Sequence, residues 1–158
     1  MDRRGASEII LSNKGFSLGE LITAVAVFGI LSAIAIPSFL SVQPGLRLNG
    51  GAREVLSKLR WARSQAVEQN ATYIVDFPSN HSLRVFNDAN LNDTWDSGET
   101  TQTFDIQSDY TGVTFTVSGS NPKFTGRGTA SGITNITVTN TSGSKTVSVG
   151  ATGNIKIS

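Results

Sequence analysis

The chain contains no cysteine and a single histidine, His81. A disulfide framework and a thiolate metal site are therefore both excluded, and His81 alone cannot form a histidine cluster. Charge of one sign is also missing. Thirteen lysines and arginines face twelve acidic residues, so the summed charge gives no reason to expect nucleic acid or an anionic surface as the main partner. Charged residues make up only 16% of the chain. No pairing of nucleophile, base and orienting group stands out, because serine and threonine recur throughout and His81 is isolated among turn residues. No enzymatic activity is expected.

A length of 158 residues allows one domain and one additional element around a single core. Threonine, serine, asparagine and glycine crowd the second half, as they do where short strands alternate with turns. The composition predicts an all-β or α+β globular part.

The first half carries the long apolar run. Residues 21–40, LITAVAVFGILSAIAIPSFL, contain no charge. Twenty helical residues extend about 30 Å, the hydrocarbon thickness of a bilayer. Arg3, Arg4 and Lys14 precede the run. The positive-inside bias keeps that flank cytoplasmic and puts the C-terminal bulk on the other side. No small-residue cleavage pattern follows the run, where Pro37, Phe39, Val42 and Pro44 stand instead, so an ordinary secretory cut that removes the helix is not expected.

At the start of the run, Lys14-Gly15-Phe16-Ser17-Leu18-Gly19-Glu20 sets a carboxylate at the head of an otherwise apolar helix. A charge in lipid costs a few kcal/mol or more unless it is paired, so such a residue implies a function and a partner. A free α-amine is the natural partner.

The stretch KGFSLGELITAVAVFGILSAIAIP resembles the class III signal of type IV prepilins and pseudopilins. The resemblance implies that residues 1–15 are a leader, cut between Gly15 and Phe16 by a prepilin peptidase that methylates the new Phe16 amine. It also implies that Glu20 meets the amine of a neighbouring subunit, which sets register, and that the partners are other pilins or pseudopilins and the inner-membrane platform of an assembly machine. The expected location is the inner membrane, single-pass with a periplasmic head, and then the pilus or pseudopilus. Pro37 removes a helix hydrogen bond and predicts a kink, a common place for proline in this family.

Beyond the apolar segment, assigned to residues 16–44, residues 45–70 read as an amphipathic helix. Ala52, Val55, Leu56, Leu59, Ala62 and Ala66 recur at three- and four-residue spacing. One long helix is expected, irregular between Pro37 and Gly45, with its lower stripe laid on a sheet. Arg53, Glu54, Lys58, Arg60, Arg63 and Glu68 fall mainly on the solvated sides, and the cations among them form a basic stripe whose ordinary explanation is solvation.

In residues 71–158, strands are predicted over 72–77, 82–87, 101–105, 113–117, 123–124, 133–140, 145–149 and 154–157, with turns at 126–128 and 142–144. The fold class is α+β: a long N-terminal helix on a β-rich head of two antiparallel sheets. Residues 60–77 and the pattern from Phe124 to Lys156 are similar to the GspH/FimT branch of minor pseudopilins.

Two features carry candidate ligands. The loop 88–99 places Asp88, Asn90, Asn92, Asp96 and Glu99 at positions one, three, five, nine and twelve of the EF-hand pattern, the oxygen spacing that calcium takes. Position six is Asp93 instead of glycine, and strands are expected on both sides. A solvated Asn/Asp hairpin loop explains the same residues through side-chain turns. Some FimT-type relatives bind DNA through a Gly-Arg-x-Arg tail. The matching residues here are Gly153-Asn154-Ile155-Lys156, which leaves Lys156 alone where phosphate neutralisation needs several cations. Nucleic acid is not the expected partner, and a DNA-capturing minor pilin stands as the alternative to an assembly or tip subunit of a type IV pilus or a type II secretion pseudopilus.

Overall fold

The computed structural model describes residues 15–131 and 133–158. Helix α1 spans Leu18–Glu68. It is followed by β1 Tyr73–Asp76, β2 Ser82–Asn87, β3 Thr101–Asp105, β4 Thr114–Ser118, β5 Lys123–Phe124, β6 Ala130–Ser131, β7 Thr134–Asn140, β8 Gly143–Val149 and β9 Ile155–Ile157. A single 3₁₀ turn, Ile106–Ser108, lies between β3 and β4, its first turn capped by the Asp105 side chain on the Gln107 amide. Contacts divide the chain into two compact units, residues 1–40 and 41–158.

In the second unit the strands form two antiparallel sheets of order β3-β2-β1-β5-β6 and β4-β7-β8-β9. Alternation accounts for their inner faces. Along β7, Thr134, Ile136 and Val138 are buried while Asn135 and Thr139 are exposed. That period of two is what a sheet with one face in the core produces. The helical stripe recurs at three and four: Leu48, Ala52, Val55, Leu59, Ala62 and Ala66 are all buried. They share one core with Val75, Leu83, Val85 and Phe124 of the first sheet and Ile136, Val138, Val147 and Val149 of the second. The small side chains of Ala52, Ala62 and Ala66 let the helix approach the sheets, while Val55 and Leu59 fill the space between.

The helix departs from expectation in one respect. No break or irregular stretch separates Pro37 from Gly45, and α1 is continuous through both Pro37 and Pro44. Each proline removes one backbone donor, to the carbonyls of Ala33 and Leu40 four residues earlier, and next to Pro44 side chains add bonds to other helix carbonyls. Asn140 Nδ2 donates to Pro44 O at 2.7 Å and Asn49 Nδ2 to Gly45 O at 2.9 Å. At the other end the helix stops at Glu68, two residues before the expected limit. Asn70 adopts φ +48, and the amides of Asn70 and Ala71 return to the carbonyls of Val67 and Ala66. This is a Schellman cap, in which asparagine tolerates the left-handed position.

Leu59 is 1% exposed at the centre of the core. Leu59→Ala should destabilise the head by about 2–5 kcal/mol through lost burial and the cavity left behind, whereas Arg53→Ala, on the exposed side, should stay within about 0.5 kcal/mol. Denaturant unfolding of the two variants, followed by circular dichroism, checks the contrast.

Candidate functional site: the exposed apolar segment and the head loops

In the first unit the chain enters α1 through Ser17. Ser17 Oγ accepts from the Glu20 amide at 3.2 Å, while the Ser17 amide and hydroxyl donate to Glu20 Oε2 at 2.9 and 3.1 Å. This reciprocal arrangement is a capping box, and it satisfies donors at the helix start that would otherwise be orphaned. The Ser-x-x-Glu spacing was legible in the sequence and adds a capping role for Glu20 to the registration role expected of it. Gly15 and Phe16 precede the first turn and are exposed, so their peptide bond lies outside the helix. Residues 1–14, with Arg3, Arg4 and Lys14, lie outside the described residues.

From Leu18 to Leu40 every residue is exposed, including Phe28, Ile34 and Phe39. The helix is long and apolar enough to cross a membrane. A run of exposed large apolar residues of this length marks an interaction surface or a lipid-facing one.

The loop between β2 and β3 brings all five predicted oxygen residues into one hydrogen-bonded network. Asp88 is buried, and its two oxygens accept from the amides of Asn92 at 3.0 Å and Asp93 at 3.3 Å. Asn90 and Asn92 both turn their Nδ2 groups to Asp96 Oδ2, at 2.8 and 2.7 Å. Glu99 accepts from the amides of Ala89 and Asp96. Leu91 and Asp93, at loop positions four and six, have φ of +58 and +64. Aspartate thus occupies the left-handed position in place of glycine. Lys123 pairs with Asp93 and lies 3.9 Å from Asp88 Oδ2. The carboxylates thus accept from the loop's own donors, and among the described residues no group of three or more His, Cys, Asp or Glu is gathered.

Lys156 is exposed on β9, opposite Ser148. The predicted basic stripe separates: Lys58 pairs with Glu54 at 2.9 Å and lies 4.0 Å over the Phe104 ring. Arg60 and Arg63 instead line an open cleft with Arg127, from the turn between β5 and β6. Sequence spacing could not find Arg127, which is 64 residues from Arg63 along the chain.

Residues 51–153 match the family model described as type II transport protein GspH. Crystal structures of the Pseudomonas aeruginosa type IV minor pilin FimU superpose with TM-scores of 0.55 and 0.56 at 19% identity. Both cover 70% of this chain, and 87% and 92% of the respective FimU chains. The Vibrio cholerae minor pseudopilin EpsH of the type 2 secretion system superposes with a TM-score of 0.55 at 10% identity, covering 71% of this chain and 96% of that one. No curated protein shows significant sequence similarity.

The Asn90 and Asn92 donors hold the Asp96 carboxyl below the usual aspartate range. A depressed folded value means that the contribution to loop order is complete above the ordinary aspartate value and is lost as pH falls through the depressed one. Trp95 emission in a Trp61→Phe chain should therefore hold steady as pH falls from about 7 to 5, and titrate with a midpoint below about 3.9. Replacing both Asn90 and Asn92 by alanine should move that midpoint upward.

Proposed function

We propose an assembly role for this chain, which belongs to the GspH family of type II transport proteins. It serves as a minor pilin or pseudopilin, a structural subunit and not an enzyme, in a type IV pilus or a type II secretion pseudopilus. The observation that carries this reading is the fully exposed apolar segment of α1 with Glu20 at its start. The head buries most of its large apolar residues, whereas this segment is exposed throughout and in this reading is covered from outside, first by lipid and then by the helices of other subunits.

In this reading a prepilin peptidase cuts the exposed Gly15–Phe16 bond and methylates the Phe16 amine. The single-pass chain waits in the inner membrane with its head on the periplasmic side, and the platform of the assembly machine draws it into the filament. Glu20 then meets the amine of a neighbour. Such a pair offsets desolvation only when both charges are present, so mismatched register leaves a charge unpaired in apolar surroundings. The penalty of a few kcal/mol for that error makes one register preferred.

Glu20→Ala should leave the head folded and the chain inserted in the membrane, while the fraction recovered in assembled filaments falls about tenfold or more. Immunoblots of sheared or detergent-extracted assemblies against total membrane measure this. Recovery at the wild-type level would refute the registration role.

A further inference from the structure

Five asparagines stand in Asn-x-Ser/Thr triplets: Asn70, Asn80, Asn92, Asn135 and Asn140. That triplet is the acceptor for N-linked sugar on chains that leave the cytoplasm. Transfer needs the side-chain amide nitrogen free, the hydroxyl two residues later free to be held, and a segment outside helix and strand that can enter a transferase site. The fold separates the five on these grounds.

Asn135 is locked within β7, paired with Ser118 on one side and Ser148 on the other. Asn140 commits its Nδ2 to Pro44 O, and Asn92 commits its own to Asp96, both at 2.7 Å. Beyond Asn80, the Ser82 hydroxyl is engaged with that of Ser79 at 2.7 Å, and Ser82 already begins β2.

Asn70 meets all three conditions. It is exposed in the turn between α1 and β1. Its Oδ1 lies against Gly126, where an added side chain would collide with it, and its Nδ2 makes no hydrogen bond among the described residues. Thr72 precedes β1 and is held through its carbonyl, which accepts from the Asp88 amide at 2.9 Å, while its hydroxyl makes no hydrogen bond among the described residues.

Two further features mark this triplet. Glu68, two residues before Asn70, is exposed, whereas the other four triplets have Pro78, Asn90, Ile133 and Val138 at that place. A carboxylate beside the acceptor gives a cationic transferase site a charge-assisted hold. Next to Asn70 lies an open cleft of about 360 Å³ lined by Thr125, Gly126, Arg127 and Thr129. The Thr125 and Thr129 hydroxyls, 2.8 Å apart, and the Arg127 guanidinium offer donors and acceptors to the hydroxyls of a first sugar ring.

We infer that Asn70 is an N-glycosylation site. The donor is an oligosaccharide linked through a diphosphate to a polyprenyl lipid. Asn70 Nδ2 attacks the anomeric carbon, the carbon–nitrogen bond forms, and the bond from that carbon to the diphosphate oxygen breaks. The lipid diphosphate leaves with the electron pair, and the amide gives up one proton to a base of the transferase. The inference rests on the periplasmic placement of the head proposed above.

The full chain purified from its native membranes should carry an oligosaccharide on the tryptic peptide from Ser64 to Arg84. Asn70 and Asn80 both fall in that peptide, so fragmentation that keeps the sugar attached assigns the residue. Asn70 also caps α1, so the variants act on the hydroxyl instead. Thr72→Ala should lose the added mass completely, Thr72→Ser should keep it, and Asn80→Gln should leave it unchanged. Labelling of a Thr152→Cys chain in spheroplasts by a membrane-impermeant maleimide reports separately on the side of the membrane that the head occupies. An unmodified Asn70 in a head that is labelled overturns the glycan and leaves the assembly reading standing. So does sugar on Asn80, or on a serine or threonine. A head that is not labelled overturns the periplasmic placement, and the glycan with it.

Discussion

Helix α1 must satisfy opposite solvents along one continuous run of backbone. From Leu48 to Ala66 its stripe is sealed against two sheets, where Val55 and Leu59 are almost fully buried. Burying a side chain of that size contributes about 1.5–3 kcal/mol, so this stretch anchors the head to its own helix. From Leu18 to Leu40 the same helix has nothing to bury against within the subunit. The remainder of the molecule follows from that division. The head can be small because its core is completed by the helix, and the other half of the helix is apolar and exposed.

The capping box at Ser17 and Glu20 fits the same division. A helix start near lipid leaves amides that no water can satisfy. Ser17 answers part of that need locally and both its donors fall on Glu20 Oε2. Glu20 therefore closes its own helix as well as presenting a carboxylate to the outside. At the far end, Asn70 closes the helix through a left-handed cap. The same end of the helix supplies Arg60 and Arg63 to the surface of the head.

Much of the fold could be read from residue order, for reasons that differ by element. β2 and β3 occur at the expected bounds because apolar and β-branched residues lie between clear turn residues. The buried stripe of α1 followed from its spacing. β6, Ala130–Ser131, was missed because two small residues carry no period; it exists through pairing with β5. The 3₁₀ turn after β3 was missed because it depends on Asp105 capping Gln107. The irregular stretch expected between Pro37 and Gly45 is absent as a break, since α1 runs on through both prolines, each of which costs it one donor. In the loop, spacing identified the residues that gather but not their orientation. Asn90 and Asn92 offer Nδ2 groups to Asp96, a choice made by the folded loop. Arg127 joined Arg60 and Arg63 only through tertiary structure.

The central claim is that the apolar half of α1 is covered by lipid before assembly and by neighbouring helices afterwards. Thiol accessibility tests it directly, because the natural chain has no cysteine. Ile34→Cys lies in the exposed apolar segment, and Thr152→Cys in the exposed turn before β9 serves as reference. A water-soluble maleimide should label residue 34 at least about a hundredfold more slowly than residue 152, both in isolated membranes and in assembled filaments. Equal rates in either state would contradict the account.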